Sequence, residues 1–303
     1  MLRMGLRIVA LGLITATGLL ASCTIGANDE RAARWEVRKA RLAEQAAAKN
    51  VELFSIQTSA TAEYDVAVLR SDGEGPVRLV VVPGAPSEHI YWTDFAGEIR
   101  KDVEFYALER PGYGASGPGE PVTDLKEQSA AVVPLFKDGA ASCNIVMGSS
   151  YGAAIALLTA LDHPDRVDGV IVSSGLIVAP GRRARTMAFL GSVINPFVRY
   201  GADLGTIRRE IVAAPAQRRK IMARLDELNV PVVIVHGDDD EIVPISNAYF
   251  LRDRLEGVTG VDMFVVEGAG HGLMSYHSQT LFRAVDTMIE RMQAGGACLS
   301  ALD

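Results

Sequence analysis

Hydrophobic residues in this chain form short apolar runs that alternate with stretches of helical periodicity. From residue 51 onward there are eight such runs, and two of them, VRLVVVPG and PVVIVHGD, are almost continuously apolar. Strands that are covered on both faces show this pattern. The alternation predicts an α/β fold, with a mostly parallel sheet of about eight strands and helices on both faces.

The predicted elements begin with VELFSIQTS and YDVAVLRS, which only a short turn separates. This spacing predicts an antiparallel entry into the sheet. The remaining predicted strands are VRLVVVPG, VEFYALER, CNIVMGS, GVIVSSG, PVVIVHGD and VDMFVVEGAG, and the predicted helices are 87–101, 122–136, 151–162, 246–255 and 273–293.

One segment, 176–229, interrupts this alternation. It has no strand pattern, and its helical runs are broken at Pro180, Pro196 and Pro215. Such a segment is too long for a plain connection, so we predict a short helical cap inserted into a single domain that spans 51–303.

Basic residues are concentrated in the predicted cap. Between residues 181 and 224 there are ten Lys or Arg and only two acidic residues, Asp203 and Glu210. One interpretation is a lid whose arginines meet an anionic substrate or lipid headgroups. The other is a cationic face that is exposed to solvent. The basic residues are Arg182, Arg183, Arg185, Arg199, Arg208, Arg209, Arg218, Arg219, Lys220 and Arg224.

The start of the chain has the pattern of an export signal. Two arginines precede an apolar run, 8–20, that is too short to span a bilayer, so we predict a signal peptide over 1–22. The run ends in LASC at 20–23, which resembles the lipobox of bacterial lipoproteins. Cys23 is therefore predicted to carry lipid and to anchor the exported protein to a membrane. An ordinary signal peptide that is cleaved nearby is the alternative.

The segment 23–50 is rich in Ala, Arg and Glu and contains no proline. Its apolar face is thin, so we predict a solvated helical tether, with a partner-binding helix as the alternative. Thr24, rather than aspartate, follows Cys23. By resemblance to other lipoproteins, this favours the periplasmic face of the outer membrane in a bacterium with two membranes.

The net charge limits the classes of partner. It is −7, and removal of 1–22 would take away two arginines and no acidic residue, giving −7 − 2 = −9. An acidic protein of this kind is not expected to bind nucleic acid. No histidine pair at helical spacing and no CxxC pair occurs in the sequence, so no metal site is predicted either.

A candidate nucleophile lies in the stretch CNIVMGSSYGAAIALL. The residues 148–152, GSSYG, fit G-x-S-x-G with Ser150 at the centre, and a predicted strand precedes them while a predicted helix follows. A serine on this sharp turn has strained backbone and an exposed hydroxyl, and the helix N-terminus favours a nearby oxyanion. Ser149 is the competing serine, because serines at this place commonly cap helices.

A serine needs a base and an orienting acid, and in an α/β sheet these follow the carboxyl ends of strands. The run PVVIVHGDDDEIVP places carboxylates after one strand, and VDMFVVEGAGHGLM places His271 after another. Asp240 is the preferred acid, and Asp238 and Asp239 are alternatives. None of the other histidines is bracketed by glycines at a strand end as His271 is. His236, which ends the acid strand, is expected to pack rather than react.

These motifs together resemble the α/β-hydrolase family over about 64–293. GDDDEIVP resembles its G-x-x-D-x-x-V-P block, which places the acid at Asp240, and GAGH resembles its histidine block at His271. ERPGYGAS at 109–116 resembles a D-R-P-G-[FY]-G-x-S block with Glu in place of Asp. PGAP at 83–86 resembles the H-G-x-P oxyanion loop with Pro in place of His.

The resemblance implies an oxyanion hole made by the backbone N–H groups of Ala85 and Tyr151. Relatives that open epoxides or displace halide have aspartate where Ser150 stands, so serine implies acyl transfer without a cofactor. We expect a serine hydrolase that cleaves a carboxylic ester or a related small acyl substrate through an acyl-enzyme. The alternatives are a peptidase or carbon–carbon hydrolase of the same fold, and a non-catalytic binding lipoprotein of the envelope.

Two cysteines remain besides Cys23. Cys143 begins the strand that leads to the candidate nucleophile, at the edge of the sheet away from the catalytic groups. The last predicted helix runs back toward that edge, and Cys298 follows its end. Because disulfides persist in exported proteins, we hypothesise a Cys143–Cys298 disulfide, with two buried thiols as the alternative.

Overall fold

The computed structural model describes residues 51–57, 64–87, 92–118, 120, 122–139, 143–182, 186 and 202–295, together with Glu44 and Ala47. The fold below belongs to the unit Ala46–Asp303. The predicted signal peptide 1–22, the lipidation site Cys23 and nearly all of the tether 23–50 lie outside the described residues, so these remain predictions.

The sheet has eight strands in the order β1-β2-β4-β3-β5-β6-β7-β8. The pairs β1–β2 and β2–β4 are antiparallel, and every other pair is parallel. The predicted strand number, the antiparallel entry and the mostly parallel remainder are all confirmed. The strands are β1 Val51–Gln57, β2 Asp65–Ser71, β3 Val77–Val82, β4 Val103–Leu108, β5 Cys143–Ser149, β6 Gly169–Ser173, β7 Val232–Gly237 and β8 Val261–Val266.

The helices lie between the strands as predicted, although several are shorter. Their bounds are α1 Thr93–Glu98, α2 Leu125–Ala130, α3 Gly152–Asp162, α4 Ala202–Met222, α5 Ser246–Leu255, α6 Leu273–Tyr276 and α7 Ser278–Ala294, and 3-10 turns lie at Val133–Leu135 and Leu225–Glu227.

Local backbone chemistry explains why the predicted helix 122–136 was too long and why the predicted helix 273–293 is divided into two helices. The Asp124 carboxylate accepts the Lys126 N–H, so it caps α2 and fixes its first residue. Pro134 tightens the chain after α2 into a 3-10 turn, because proline lacks an N–H donor. His277 has non-helical backbone, with φ −138° and ψ 36°, and it separates α6 from α7.

The prediction that Pro215 breaks the cap was wrong, because α4 runs through this residue. Proline removes one helical hydrogen bond, but Pro215 is on the exposed side, where water can solvate the freed carbonyl. The buried face of α4 carries Ala214, Arg218 and Ile221 at helical spacing. Packing of this face holds the helix together across the proline.

Two apolar layers cover the sheet, and alternate residues of each strand enter opposite layers. In β3, Val80 and Val82 enter the layer that contains α3, whereas Leu79 and Val81 enter the layer that contains α7. β5 and β7 are buried at nearly every position, as their continuous apolar runs predicted. Central strands held in this way fix the positions of the loops at their carboxyl ends.

Cys143 is fully buried at the start of β5 and is disulfide-bonded. The predicted partner, Cys298, lies outside the described residues, so the pairing itself remains a prediction. Mass analysis of the protein under non-reducing conditions would contradict it by finding Cys298 as a free thiol.

Candidate active site

Ser150 occupies a strained turn between β5 and α3. Its φ is +53°, a left-handed conformation that non-glycine residues rarely adopt. The Ser150 N–H donates to the carbonyl of Ser173 at 2.9 Å, and its own carbonyl accepts the N–H of Leu176 at 2.9 Å. These bonds tie the turn to the loop after β6, and they hold the Ser150 side chain above the carboxyl edge of the sheet.

Two glycines beside the serine allow this turn because the chain passes too close for a side chain. A Cβ at Gly148 would lie 2.5 Å from the Cα of Ala153, and a Cβ at Gly152 would lie 2.1 Å from the carbonyl oxygen of Val82. The competing serine, Ser149, is the last residue of β5 and pairs in register with β6. It does not cap α3, because the N-cap position is Tyr151 and no side-chain capping hydrogen bond is formed there.

The structure brings Ser150, His271 and Asp240 into one hydrogen-bonded chain. His271 Nε2 lies 2.9 Å from Ser150 Oγ, and His271 Nδ1 lies 2.7 Å from Asp240 Oδ2. Each residue follows a different strand, namely β5, β7 and β8. The side chain of His271 is 27% exposed and that of Asp240 is fully buried, so the chain runs from the site opening into the protein.

The environment of Asp240 keeps its carboxylate charged. Burial by itself raises the pKa of Asp240, but the hydrogen bond and charge of His271 and the N–H groups of Ile242 and Val243 outweigh it, so the pKa lies below its ordinary value. The two N–H groups donate to Oδ1 at 2.9 and 2.8 Å, which leaves Oδ2 for the histidine. An ionised acid in this position orients the imidazole and stabilises its protonated form.

The other aspartates of the run make different contacts. Asp238 accepts the N–H of Gly268 through Oδ1 at 2.7 Å, and Asp239 is exposed. Asp240 is the member of the run that hydrogen-bonds to His271.

Replacing Asp240 with asparagine is therefore expected to lower kcat by about 10⁴-fold, because an amide favours the wrong imidazole tautomer. Asp239→Asn is the matched control, because it makes the same change in the same loop at an exposed position, and kcat should stay within about threefold of the wild type. Steady-state hydrolysis of an aryl ester measures both. Equal losses in the two variants would contradict the assignment of Asp240.

His236 packs against this acid rather than joining the chain. It is fully buried, its Nε2–H donates to the carbonyl of Val243 at 2.8 Å, and Nε2 lies 3.6 Å from Asp240 Oδ2. Its Nδ1 has no hydrogen-bond partner among the described residues. Burial lowers the pKa of His236, and the charge of His271 also lowers it, while the Val243 carbonyl and Asp240 oppose the shift.

This depressed pKa predicts a loss of stability in mild acid. Between the ordinary histidine pKa of about 6.5 and the lower folded value, the unfolded chain binds more protons, so the free energy of unfolding falls as the pH falls. His236→Gln keeps a donor toward Val243 but does not titrate. Its Tm should therefore drop less than that of the wild type between pH 7.5 and 5.5, and parallel Tm curves would contradict the prediction.

The predicted oxyanion loop lies directly against Ser150. A Cβ on Gly84 would lie 2.8 Å from the Cβ of Ser150, so only glycine permits this approach. Ala85 follows in the loop, and Tyr151 precedes the first residue of α3. The two predicted N–H donors are thus on the two segments that meet at Ser150.

A buried polar network supports this loop, and it was not predicted from the sequence. The guanidinium of Arg110 donates to the Gly84 carbonyl at 2.9 and 3.3 Å, and it also forms a buried ion pair with Glu210 of α4. It lies over the rings of Tyr113 and Tyr151, each about 4.7 Å from the centroid. One sequence signal pointed to the network, since Glu210 is one of only two acidic residues in a basic segment.

Glu109 closes the turn of the ERPGYGAS block at 109–116. It stands where the family block usually has aspartate, and its carboxylate accepts the N–H of Ala115 at 2.6 Å. Among the described residues there is no cluster of three or more potential metal ligands. None of the helices in the described part of the chain is long and apolar enough to cross a membrane.

In this protein a serine, a histidine and a carboxylate meet beyond the carboxyl ends of three strands of a mostly parallel sheet. This arrangement is typical of α/β enzymes of the hydrolase type. The comparison with protein families agrees, since residues 79–284 match the alpha/beta hydrolase family. The chain therefore belongs to this family, and the protein is a hydrolase.

Its relatives are distant and include lipases and esterases. The monoglyceride lipase of Rattus norvegicus is 22% identical over 74% of this chain and 86% of its own. A carboxylesterase of Bacillus subtilis superposes with a TM-score of 0.61 at 15% identity, over 84% of this chain and 98% of its own. A bacterial membrane phospholipase A gives a TM-score of 0.59 at 20% identity, over 95% and 99%. At these identities the structures show a shared fold.

Proposed function

We propose that this protein is a serine hydrolase that cleaves carboxylic esters, or closely related acyl compounds, through an acyl-enzyme. The observation that carries the proposal is the continuous hydrogen-bond chain from Ser150 through His271 to the buried carboxylate of Asp240. The lipase and esterase relatives support an ester as the substrate.

In the proposed first half-reaction, Ser150 Oγ attacks the carbonyl carbon and its proton moves to His271 Nε2. The carbonyl oxygen becomes an oxyanion, which the N–H groups of Ala85 and Tyr151 would bind beside the N-terminus of α3. Asp240 stabilises the imidazolium. His271 then gives the proton to the leaving alcohol, and the acyl group stays on Ser150.

In the second half-reaction, water attacks the acyl carbon while His271 takes a proton from it. The tetrahedral intermediate collapses, the proton returns to Ser150 Oγ, and the free acid leaves. The atoms balance with water as the only co-reactant. The two protein groups that transfer protons in these steps, Ser150 and His271, both belong to the observed hydrogen-bond chain.

A comparison of substrates with different scissile bonds tests the substrate class. Aryl esters of increasing acyl length should be hydrolysed at rates well above those of aminoacyl amides. Faster cleavage of the amides would favour the peptidase alternative. Two of the curated relatives are hydrolases of 2-hydroxy-6-oxo acids, so a 2-hydroxy-6-oxo acid should be included in the panel as a test of the carbon–carbon hydrolase alternative.

We further propose that the enzyme is exported and lipid-anchored through Cys23, on the basis of the LASC pattern and the preceding apolar run. Cys23→Ser should block lipidation, so that after cell fractionation the protein is found in the soluble fraction instead of the membrane fraction. Cys298→Ser is the matched control and should leave the protein with the membrane. Membrane association that survives Cys23→Ser would contradict the anchor.

A further inference from the structure

Arg110 is a buried arginine whose guanidinium uses all of its hydrogen-bond donors. Its Nε–H and one N–H of Nη2 donate to the Gly84 carbonyl, at 3.3 and 2.9 Å. The other Nη2 N–H donates to Glu210 Oε2 at 3.1 Å, and the two N–H groups of Nη1 donate to Glu210 Oε1 and Gln128 Oε1. A guanidinium has five N–H donors, so none is left over and the orientation of this side chain is fixed.

The backbone of Arg110 holds the same loop at a second point. The Arg110 N–H donates to the hydroxyl of Ser87, a buried residue, at 2.8 Å. The loop 84–87 is therefore attached to Arg110 at both of its ends. A Cβ on Gly84 would lie 2.8 Å from the Cβ and 3.3 Å from the Oγ of Ser150, so the segment that Arg110 fixes is the one that contacts Ser150.

The peptide unit that Arg110 holds is the one whose N–H belongs to Ala85. The Gly84 carbonyl and the Ala85 N–H lie in one plane and, in a trans peptide, point in opposite directions. Fixing the oxygen therefore fixes the direction of the N–H. The Ala85 N–H has no hydrogen-bond partner among the described residues, so it can donate to a bound atom. A cation at the carbonyl oxygen also polarises the amide and strengthens its N–H as a donor.

Glu210 supplies the charge that allows Arg110 to remain buried. Both side chains are fully buried, and a guanidinium without a counter-ion there would be strongly destabilising. Glu210 lies on α4, whereas Gly84 follows β3, so the ion pair connects the cap helix to the loop beside Ser150. The packing of α4 is thus a condition for the observed orientation of the Gly84–Ala85 peptide.

We propose that Arg110 is a positioning residue for hydrolysis: with Glu210 as its counter-ion, it directs the Ala85 N–H toward the oxyanion that forms when Ser150 attacks the substrate. This inference rests on the proposed function, because it concerns the transition state of that reaction. Arg110 is fully buried, so it acts through the Gly84–Ala85 peptide and not on the substrate itself. Because an oxyanion forms in both half-reactions, loss of this alignment lowers kcat and has little effect on KM.

The decisive variant is Arg110→Met/Glu210→Leu, which removes the hydrogen bonds to the Gly84 carbonyl without leaving a buried charge. Its kcat for an aryl ester should fall by about 10–100-fold, the size of effect expected for a misplaced oxyanion donor, while KM changes by less than about threefold. Thermal unfolding is measured on the same samples, and kinetics are recorded well below the Tm, so that unfolded protein does not contribute to the loss.

Arg78→Met is the matched control, because Arg78 makes the same kinds of contact at the opposite end of β3. Its guanidinium pairs with Glu104, donates to the Leu135 carbonyl at 3.0 Å and lies 4.4 Å from the centroid of the Tyr106 ring. Glu104 keeps Lys137 as a partner after the change. We expect a lower Tm and an unchanged kcat, which separates a general loss of stability from a loss of alignment.

A pair of ketone inhibitors provides a second readout that a merely structural role would not change. Ser150 Oγ adds to the carbonyl carbon of a trifluoromethyl alkyl ketone, its proton passes to His271, and the ketone oxygen becomes an oxyanion. The methyl ketone of the same chain length binds largely without this addition. The ratio of the two inhibition constants, methyl over trifluoromethyl, should fall by about 10–100-fold in Arg110→Met/Glu210→Leu and stay unchanged in Arg78→Met. Equal changes in both constants would overturn the inference.

The outcomes distinguish this inference from the proposed function. A wild type that hydrolyses the ester, with a folded double variant of unchanged kcat and unchanged inhibitor ratio, would overturn the inference and leave the ester hydrolase in place. A wild type that hydrolyses no ester would instead contradict the proposed function.

Ser87→Ala provides the test if the double variant does not fold. It removes only the hydroxyl that accepts the Arg110 N–H, so the loop loses one of its two attachments to Arg110. Its kcat should fall by about three- to tenfold at unchanged KM, as expected for one lost hydrogen bond. An unchanged kcat and an unchanged inhibitor ratio in folded Ser87→Ala would then overturn the inference.

Discussion

Ser150→Ala is expected to lower the kcat for ester hydrolysis by about 10⁴–10⁶-fold, with little change in KM. The reason is that Ser150 Oγ is the atom 2.9 Å from His271 Nε2, and alanine leaves the histidine and Asp240 without a nucleophile. We expect the residual activity to come from substrate binding and from the predicted oxyanion donors. Steady-state kinetics with an aryl ester measures the loss, and circular dichroism checks that the fold is retained.

Ser149→Ala is the control for this prediction. Ser149 is the neighbouring serine of the motif, and the hydroxyl that hydrogen-bonds to His271 Nε2 is that of Ser150. We expect a change of less than about tenfold. A larger loss for Ser149→Ala than for Ser150→Ala would reverse the choice of nucleophile.

The second large effect is on stability, through Glu210→Ala. Glu210 is fully buried and accepts hydrogen bonds from Arg110, from the Tyr113 hydroxyl at 2.6 Å and from the Gln128 amide at 3.0 Å. Its removal leaves the Arg110 guanidinium buried and unpaired. A loss of this kind costs about 3–5 kcal/mol, which corresponds to a drop in Tm of roughly 10 °C in a domain of this size.

The same change should also reduce activity, because Arg110 donates to the Gly84 carbonyl in the predicted oxyanion loop. Glu227→Ala is the control, since it removes an exposed glutamate that pairs with Arg224 at the surface and should cost less than about 1 kcal/mol. Chemical unfolding measures the loss in the free energy of unfolding for Glu210→Ala and for Glu227→Ala. The double variant Arg110→Met/Glu210→Leu should recover most of the lost stability, because it removes both buried charges.

Equal stability of Glu210→Ala and Glu227→Ala would contradict this account of the network. It would mean that water or another group compensates the charge of Arg110 once Glu210 is absent.

Much of the fold was predictable because each central strand is an apolar run that ends in a small or polar residue. Those ends also revealed the site, since a serine, an acid and a histidine that each follow a strand must meet at one edge of a parallel sheet. The choice between Ser149 and Ser150 was the least certain part of the predicted site. Ser150 was favoured because a nucleophilic serine requires an acid and a base, and candidates for both follow strands elsewhere in the chain.

What the sequence did not reveal depends on contacts between distant segments. The pairing of Arg110 with Glu210 joins residues one hundred positions apart, and hydrophobic periodicity carries no information about it. The path of α4 through Pro215 was missed for a related reason. Local propensity disfavours a helix there, and only the packing of its buried face against the sheet domain offsets that preference.

The burial of Arg218 could not be predicted from the basic composition of the cap. In the sequence it is one of ten basic residues in the cap, and a solvated face was the simplest explanation. Its position on the buried face of α4 follows from the helical spacing that it shares with Ala214 and Ile221. The sequence alone left the extent of α4 open, because Pro215 appeared to divide it.

The most direct test of the central claim is to locate the residue that becomes acylated or phosphonylated. The protein is reacted with a fluorophosphonate probe, digested, and the modified peptide is sequenced by tandem mass spectrometry. We expect a single stoichiometric adduct on Ser150, which is absent in Ser150→Ala and forms much more slowly in Asp240→Asn. An adduct on Ser149, or labelling that survives Ser150→Ala, would contradict this expectation.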